Sequence, residues 1–131
     1  MANYVAHLQP ELAVNYCQLV VVWVDDPAST RAARQELGAT FPFLCDHERK
    51  LIAELDIVDT TDTRHSPIAI PYTFVLDAQR VIYRIYNGWW YVGRPTVEEL
   101  RMDLRALMSR RSDWWYDDTR PPWAREEPVR R

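Results

Sequence analysis

The chain has 131 residues, 47% of them hydrophobic, and a formal net charge of −3. That length suits one compact domain with a tail, and that apolar content can form a core without disulfide staples. At that charge nothing suggests the strongly basic face expected of a nucleic-acid partner, and no apolar run of about 18 residues exists to cross a membrane.

The opening residues, MANYVAHLQPELAVNYC, hold no basic segment followed by an apolar one, so they do not read as a signal peptide. The expected location is cytoplasmic, where thiols stay reduced. The two cysteines, Cys17 and Cys45, form no CxxC motif, and His7, His47 and His65 are scattered. No metal site and no cofactor is expected from these spacings.

Val5, Leu8, Leu12 and Tyr16 share a helical face over residues 4–16, with Pro10 predicting a kink or a late start. Leu19–Val24 is an apolar β-rich run that reads as a strand buried on both faces, as in a parallel sheet. Asp26 with Pro27 predicts a capped helix start, and Gly38 its end. Phe41–Leu44 reads as a second strand, followed by a helix over residues 47–55 capped by Asp46 with Leu51, Ile52 and Leu55 inward. Residues 56–67 read as a polar loop. Tyr72–Leu76 and Val81–Tyr86 flank the turn Asp77–Arg80 and predict an antiparallel hairpin, which Asn87-Gly88 ends. Thr96 and Glu99 form a capping-box pattern ahead of a last helix reaching about Met108, with Leu100, Leu104, Leu107 and Met108 on its core side. Residues 1–108 therefore read as one domain. Residues 109–131, with three Trp and three Pro among mixed charges, read as a C-terminal arm.

Three stretches carry a resemblance to a known family. VVVWVDDPASTRAARQELGATFPFLCDHERKLIAELDI is similar to a segment in which a strand ends in Asp, a helix follows, and a further strand leads to another helix. IAIPYTFVLDAQRVIYRIYNG is similar to a Pro-led strand and its hairpin partner, and VGRPTVEELRMDLRAL to the start of a final helix. Together they resemble the peroxiredoxin-like AhpC/TSA (redoxin) family of the thioredoxin fold. The resemblance implies an α/β three-layer sandwich: a mixed sheet of about four strands with flanking helices. It also implies thiol-dependent reduction of peroxides or disulfides, a thiol reductant such as thioredoxin as partner, and a possible homodimer.

The resemblance also exposes a departure. Such proteins place a reactive cysteine in a turn between a central strand and the helix it opens, where the helix N-terminus lowers the thiol pKa. This sequence begins inside that helix, with no cysteine before Cys17. The usual central first strand is expected to be missing between Leu19–Val24 and Tyr72–Leu76. Either those strands pair directly, or a second chain fills the gap, or an upstream segment is missing from this sequence, the favoured reading.

Pro71 after Ile70 corresponds to the family's cis-proline beside the active site, against an ordinary trans proline at the start of a strand. Arg94 corresponds to the Arg of the family's VGR stretch near the cysteine pocket, against a structural salt bridge. His65 precedes Pro71 in the same loop and is a candidate pocket residue. Cys45, at a strand end before a capped helix and near His47, is the one candidate catalytic thiol, against a small packing residue. Cys17 reads as half-buried and too far from Cys45 to bridge. Trp89 and Trp90, with Trp114 and Trp115, are candidate interface residues, serving either a fold-back of the arm or a dimer. Two functions follow: a redox enzyme of the redoxin type, inactive as this sequence stands, or a degenerate thioredoxin-fold module that binds or dimerises through its aromatic surface.

Overall fold

The computed structural model describes residues 1–61, 67–88 and 93–110. A π-helical stretch, Tyr4–Leu8, runs directly into helix α1, Gln9–Leu12. The helix passes through Pro10 and does not start late. The Gln9 N–H reaches back five residues to the Tyr4 carbonyl, and this wider turn accommodates a residue that lacks an N–H and crowds the preceding turn. Leu8 and Leu12 are buried, whereas Tyr16, expected on the same face, is 80% exposed. It lies past the helix with φ 52.

Strand β1, Val21–Trp23, pairs in parallel with β2, Phe43–Cys45, with Trp23 opposite Cys45. Helix α2, Pro27–Glu36, connects them. Asp26 caps it by accepting from the backbone N–H groups of Ala28 and Ser29. Gly38 follows at φ +64, the left-handed conformation that closes a helix with least strain when the residue is glycine. β1 is not buried on both faces: Val20 is 46% and Val22 39% exposed, and Leu44, opposite Val22, is 52% exposed.

Helix α3 is shorter than expected, Lys50–Glu54, and Asp46 caps it from beyond a turn, accepting from the N–H groups of Leu51 and Ile52. Arg49 holds that turn at φ 58. Only Ile52 of the three expected apolar residues is buried, since Leu51 and Leu55 are exposed. A short strand in the polar loop, β3, Val58–Asp59, pairs antiparallel with β4, Ile68–Ala69, just past its end. Four backbone partners suffice for such a pair, which hydrophobic patterning cannot signal.

The hairpin forms as expected from β5, Tyr72–Leu76, and β6, Ile82–Asn87. Asp77 organises its turn, accepting through its side chain from Gln79 and Val81 N–H. A bulge lies between Val75 and Leu76 in the register. It places Tyr83 beside Arg84 and Tyr86 on the face of Val75. Helix α4, Val97–Ser109, starts with the complete Thr96–Glu99 capping box.

The main core joins Leu8, Leu12, Ala39, Phe41, Val75 and Leu100, with Leu104, Leu107, Tyr83 and Tyr86 packed against it. The first helix and α4 thus cover one side of both strand pairs. Among the described residues, β1 and β5 do not pair with each other: β1–β2 and β5–β6 stay separate two-stranded sheets. Direct pairing, one of three expected remedies for the gap, is not the one adopted. The boundary drawn at residue 108 falls in the last turn of α4, and residues 111–131 lie outside the described residues.

Candidate functional site

Cys45 closes β2 at the C-terminal end of the parallel pair, the end at which α/β folds gather ligands. Its half-buried thiol donates to the Asp25 carbonyl at 3.0 Å, and His47 Nδ1 stands 3.8 Å away. The Asp25 carboxylate is engaged by Trp23 Nε1 at 2.6 Å. The Asp46 N–H donates to the Trp23 carbonyl at 2.7 Å, which continues the β1–β2 ladder past Cys45. Arg49 spans from the His47 carbonyl to that of Pro67, at 3.1 and 2.9 Å, fastening this turn to the start of β4. The Asp46 carboxyl is held below its ordinary range by the N–H groups of α3, against the opposing effect of desolvation, its largest single influence. A thiol so placed donates a hydrogen bond, and it sits on a strand end and not in the first turn of a long helix.

The other expected site residues lie elsewhere. Ile70 donates its N–H to the Ile57 carbonyl, and the Pro71 carbonyl accepts from Gly88, both at 2.8 Å. These bonds tie the β4–β5 junction to both the end of α3 and the end of β6. Arg94 is exposed ahead of buried Pro95. Its charge reaches the start of the first helix: there burial first, and Arg94 second, lower the Met1 amino group. Burial raises the Tyr4 hydroxyl, which Arg94 opposes. Tyr4 donates that hydroxyl to the Pro95 carbonyl. The charge of Arg94 is thus felt at the start of the first helix. Among the described residues Cys45 has Asp25 and His47 as polar partners, and neither Pro71 nor Arg94 joins them. His65, Trp89, Trp90, Trp114 and Trp115 lie outside the described residues.

Cys17 is a second thiol of different character. It donates to the Asn15 carbonyl at 3.0 Å, packs against the core, and burial pushes its pKa up. No group of three or more potential metal ligands occurs among the described residues, nor does any helix long and apolar enough to cross a membrane.

Sequence reasoning missed a polar cluster. Asp103 on α4 is 4% exposed. It accepts from the Tyr86 hydroxyl at 2.7 Å and pairs with Arg84 Nε at 2.9 Å. Burial first, then the Asp103 carboxylate, push Tyr86 up to about 12. The signal was available: Asp103 falls three residues after Leu100 and one before Leu104, on the apolar stripe. A second tie, Arg101 to Glu11 with a further bond to the His7 carbonyl, fastens α4 to the first helix. Nothing in the patterning marks it.

A sequence profile described as the AhpC/TSA family matches residues 1–85. No curated protein matches the chain at a significant level. Mycobacterium tuberculosis AhpC superposes with TM-score 0.68 at 23% identity, over 89% of this chain and 63% of its own. Enterococcus faecalis AhpC gives 0.64 at 21%, over 80% and 64%, and Mycobacterium bovis AhpC 0.62 at 24%, over 92% and 64%. This chain thus spans under two thirds of the length of each of these three. The superpositions establish a thioredoxin-like α/β fold, and the profile covers the first helix, both strands of the parallel pair and most of the hairpin. On those grounds the chain belongs to the AhpC/TSA family.

Proposed function

We propose that this polypeptide carries the scaffold of a thiol-dependent peroxide or disulfide reductase without the thiolate that performs the reaction. In the family chemistry a thiolate attacks one oxygen of the peroxide, the O–O bond breaks, and the sulfur becomes sulfenic acid while the other oxygen leaves as alcohol or water. A second thiol then forms a disulfide, releasing water, and an external dithiol such as thioredoxin restores both sulfurs. One observation carries the reading. The first helix, faced by Arg94, is Ala-Asn-Tyr-Val-Ala-His-Leu over residues 2–8, with no cysteine.

Cys45 is the candidate thiol that remains, with Pro71 (in cis in this reading), Ile70, Arg94 and His65 as residues of the inherited pocket. A cytoplasmic setting with a dithiol reductant, and a homodimer, belong to the same proposal. The test is peroxide consumption by the purified 131-residue chain with dithiothreitol or thioredoxin as reductant. Consumption equal to the protein-free rate is expected for the chain and for Cys45→Ser alike. Turnover above that rate would refute the reading, and its loss in Cys45→Ser would identify Cys45 as the nucleophile. A binding or dimerisation role is the second reading, favoured by the half-exposed aliphatic side chains Val22, Leu44, Ile82 and Ile85.

A further inference from the structure

The sequence holds three asparagines, Asn3, Asn15 and Asn87, and Asn87 alone precedes a glycine. An asparagine side chain is open to attack by the backbone nitrogen of the next residue. That nitrogen bonds to the side-chain carbonyl carbon, the carboxamide C–N bond breaks, and ammonia leaves with the proton of the peptide nitrogen. A five-membered succinimide remains. Water opens it to aspartate or to isoaspartate, whose main chain runs through the side-chain carboxyl and is one methylene longer. A side chain on the attacking residue obstructs the approach. Tyr follows both Asn3 and Asn15, whereas Gly88 has no Cβ to obstruct it.

The hairpin opposes this attack at two points. Asn87 is the last residue of β6 and stands opposite Tyr72. In extended backbone the following nitrogen is turned away from the residue's own side chain, so ring closure requires Asn87 to leave the strand conformation. Gly88 is buried and donates its N–H to the Pro71 carbonyl at 2.8 Å. That bond holds the proton the attacking nitrogen has to lose and fixes the nitrogen beside the start of β5. Asn87 itself is exposed, so water reaches the ring once it forms. Both restraints sit at the end of the hairpin away from its turn, where strands open most readily.

We propose that Asn87 is a deamidation site held shut by the last rung of the hairpin, and that its conversion to isoaspartate unties β6 from Pro71. The added methylene lies between the Tyr72–Asn87 rung and Gly88, so the rung and the Gly88–Pro71 bond cannot both re-form. The β4–β5 junction then keeps its bond from Ile70 to the Ile57 carbonyl and loses its bond to the end of β6. None of this depends on whether the domain turns over peroxide.

The full chain tests it. Folded and in urea, it is incubated at neutral pH, and amide-to-acid conversion at each asparagine is followed by peptide mass mapping. In urea Asn87 is expected to convert well ahead of Asn3 and Asn15, and in the folded chain about tenfold or more slowly than in urea. Asp103→Ala frees the neighbouring Tyr86 hydroxyl from α4 and is expected to speed conversion in the folded chain severalfold. Tyr86→Phe takes its place if that variant does not fold, and Met102→Ala, exposed on α4, stays at the parent rate. Equal rates folded and in urea, no lead for Asn87 over the other two in urea, or a loosened variant no faster than the parent would overturn the gated site. Hydrogen exchange on the isoaspartate fraction, separated by its added negative charge, reads the consequence. The Gly88 amide is expected to lose protection while the Leu100 amide, bonded to Thr96 in α4, keeps it. Protection retained at Gly88 would overturn the untying.

Discussion

Asp103 offers the sharpest test of how the hairpin is fastened to the last helix. Its carboxylate is 4% exposed and has two partners on β6, the Tyr86 hydroxyl at 2.7 Å and Arg84 Nε at 2.9 Å. In Asp103→Ala the half-buried Tyr86 hydroxyl loses a charged acceptor and gains none, a loss of about 2–3 kcal/mol. Arg84 adds little, because its side chain is 52% exposed and returns to water. Asp103→Asn keeps an acceptor for Tyr86 and costs about 1 kcal/mol. Tyr86→Phe likewise costs about 1 kcal/mol, since Arg84 still satisfies the carboxylate. Urea unfolding followed by far-UV circular dichroism measures each, with the m-value unchanged if the effect is on the native state. The double variant Tyr86→Phe, Asp103→Ala is expected to lose no more than Asp103→Ala alone, because one bond cannot be removed twice. The sign with pH is also fixed. Tyr86 is raised from 10.0 to about 12 in the folded protein, so its contribution is complete below pH 10 and disappears as pH rises through about 12. Discounted for solvent screening at a half-buried hydroxyl, that contribution is about 1 kcal/mol, and Tyr86→Phe should lack it. A loss under about 0.5 kcal/mol in Asp103→Ala, or strict additivity in the double variant, would refute the reasoning.

Thr96→Ala removes the oxygen that accepts from Glu99 N–H and is expected to cost about 1 kcal/mol in thermal unfolding, whereas Thr96→Ser stays within a few tenths. Gly38→Ala meets nothing within 4 Å of the added Cβ, yet φ is +64. A loss of about 1 kcal/mol is expected from backbone strain alone, and an unchanged stability would contradict it. Burial raises Cys17 above its ordinary 9.0, so in Cys45→Ser iodoacetamide should modify Cys17 slowly at neutral pH and keep accelerating past pH 9, as read by mass spectrometry.

The elements most legible in the sequence are those whose ends are fixed locally. Asp26-Pro27 and Thr96 with Glu99 state a helix start within four residues, and both caps form as read. The hairpin was legible for the same reason, with Asp77 making its own turn bonds. Boundaries failed where tertiary partners decide them. Asp46 reaches past Arg49 to cap α3, and β3 and β4 need each other to exist. Pro10 does not delay the helix start, because the turn before it is a π turn. The candidate site divides the same way. Cys45 beside His47 was readable from adjacency, whereas Asp25 as the thiol's acceptor depends on the β1–β2 register.

The apolar run Val20-Val21-Val22 was read as a strand covered on both sides, and the structure covers one. Val22 and Leu44 lie opposite each other and half-exposed, and Leu76, Ile82 and Ile85 repeat the condition on the hairpin. Among the described residues β1 and β5 each have one strand neighbour, so the sides they turn away from β2 and β6 carry backbone donors and acceptors outside any described ladder. Sequence of this kind is made to be covered and paired, because an uncovered apolar face and an unpaired edge both cost stability. A strand standing between those edges would complete both ladders and cover both faces at once.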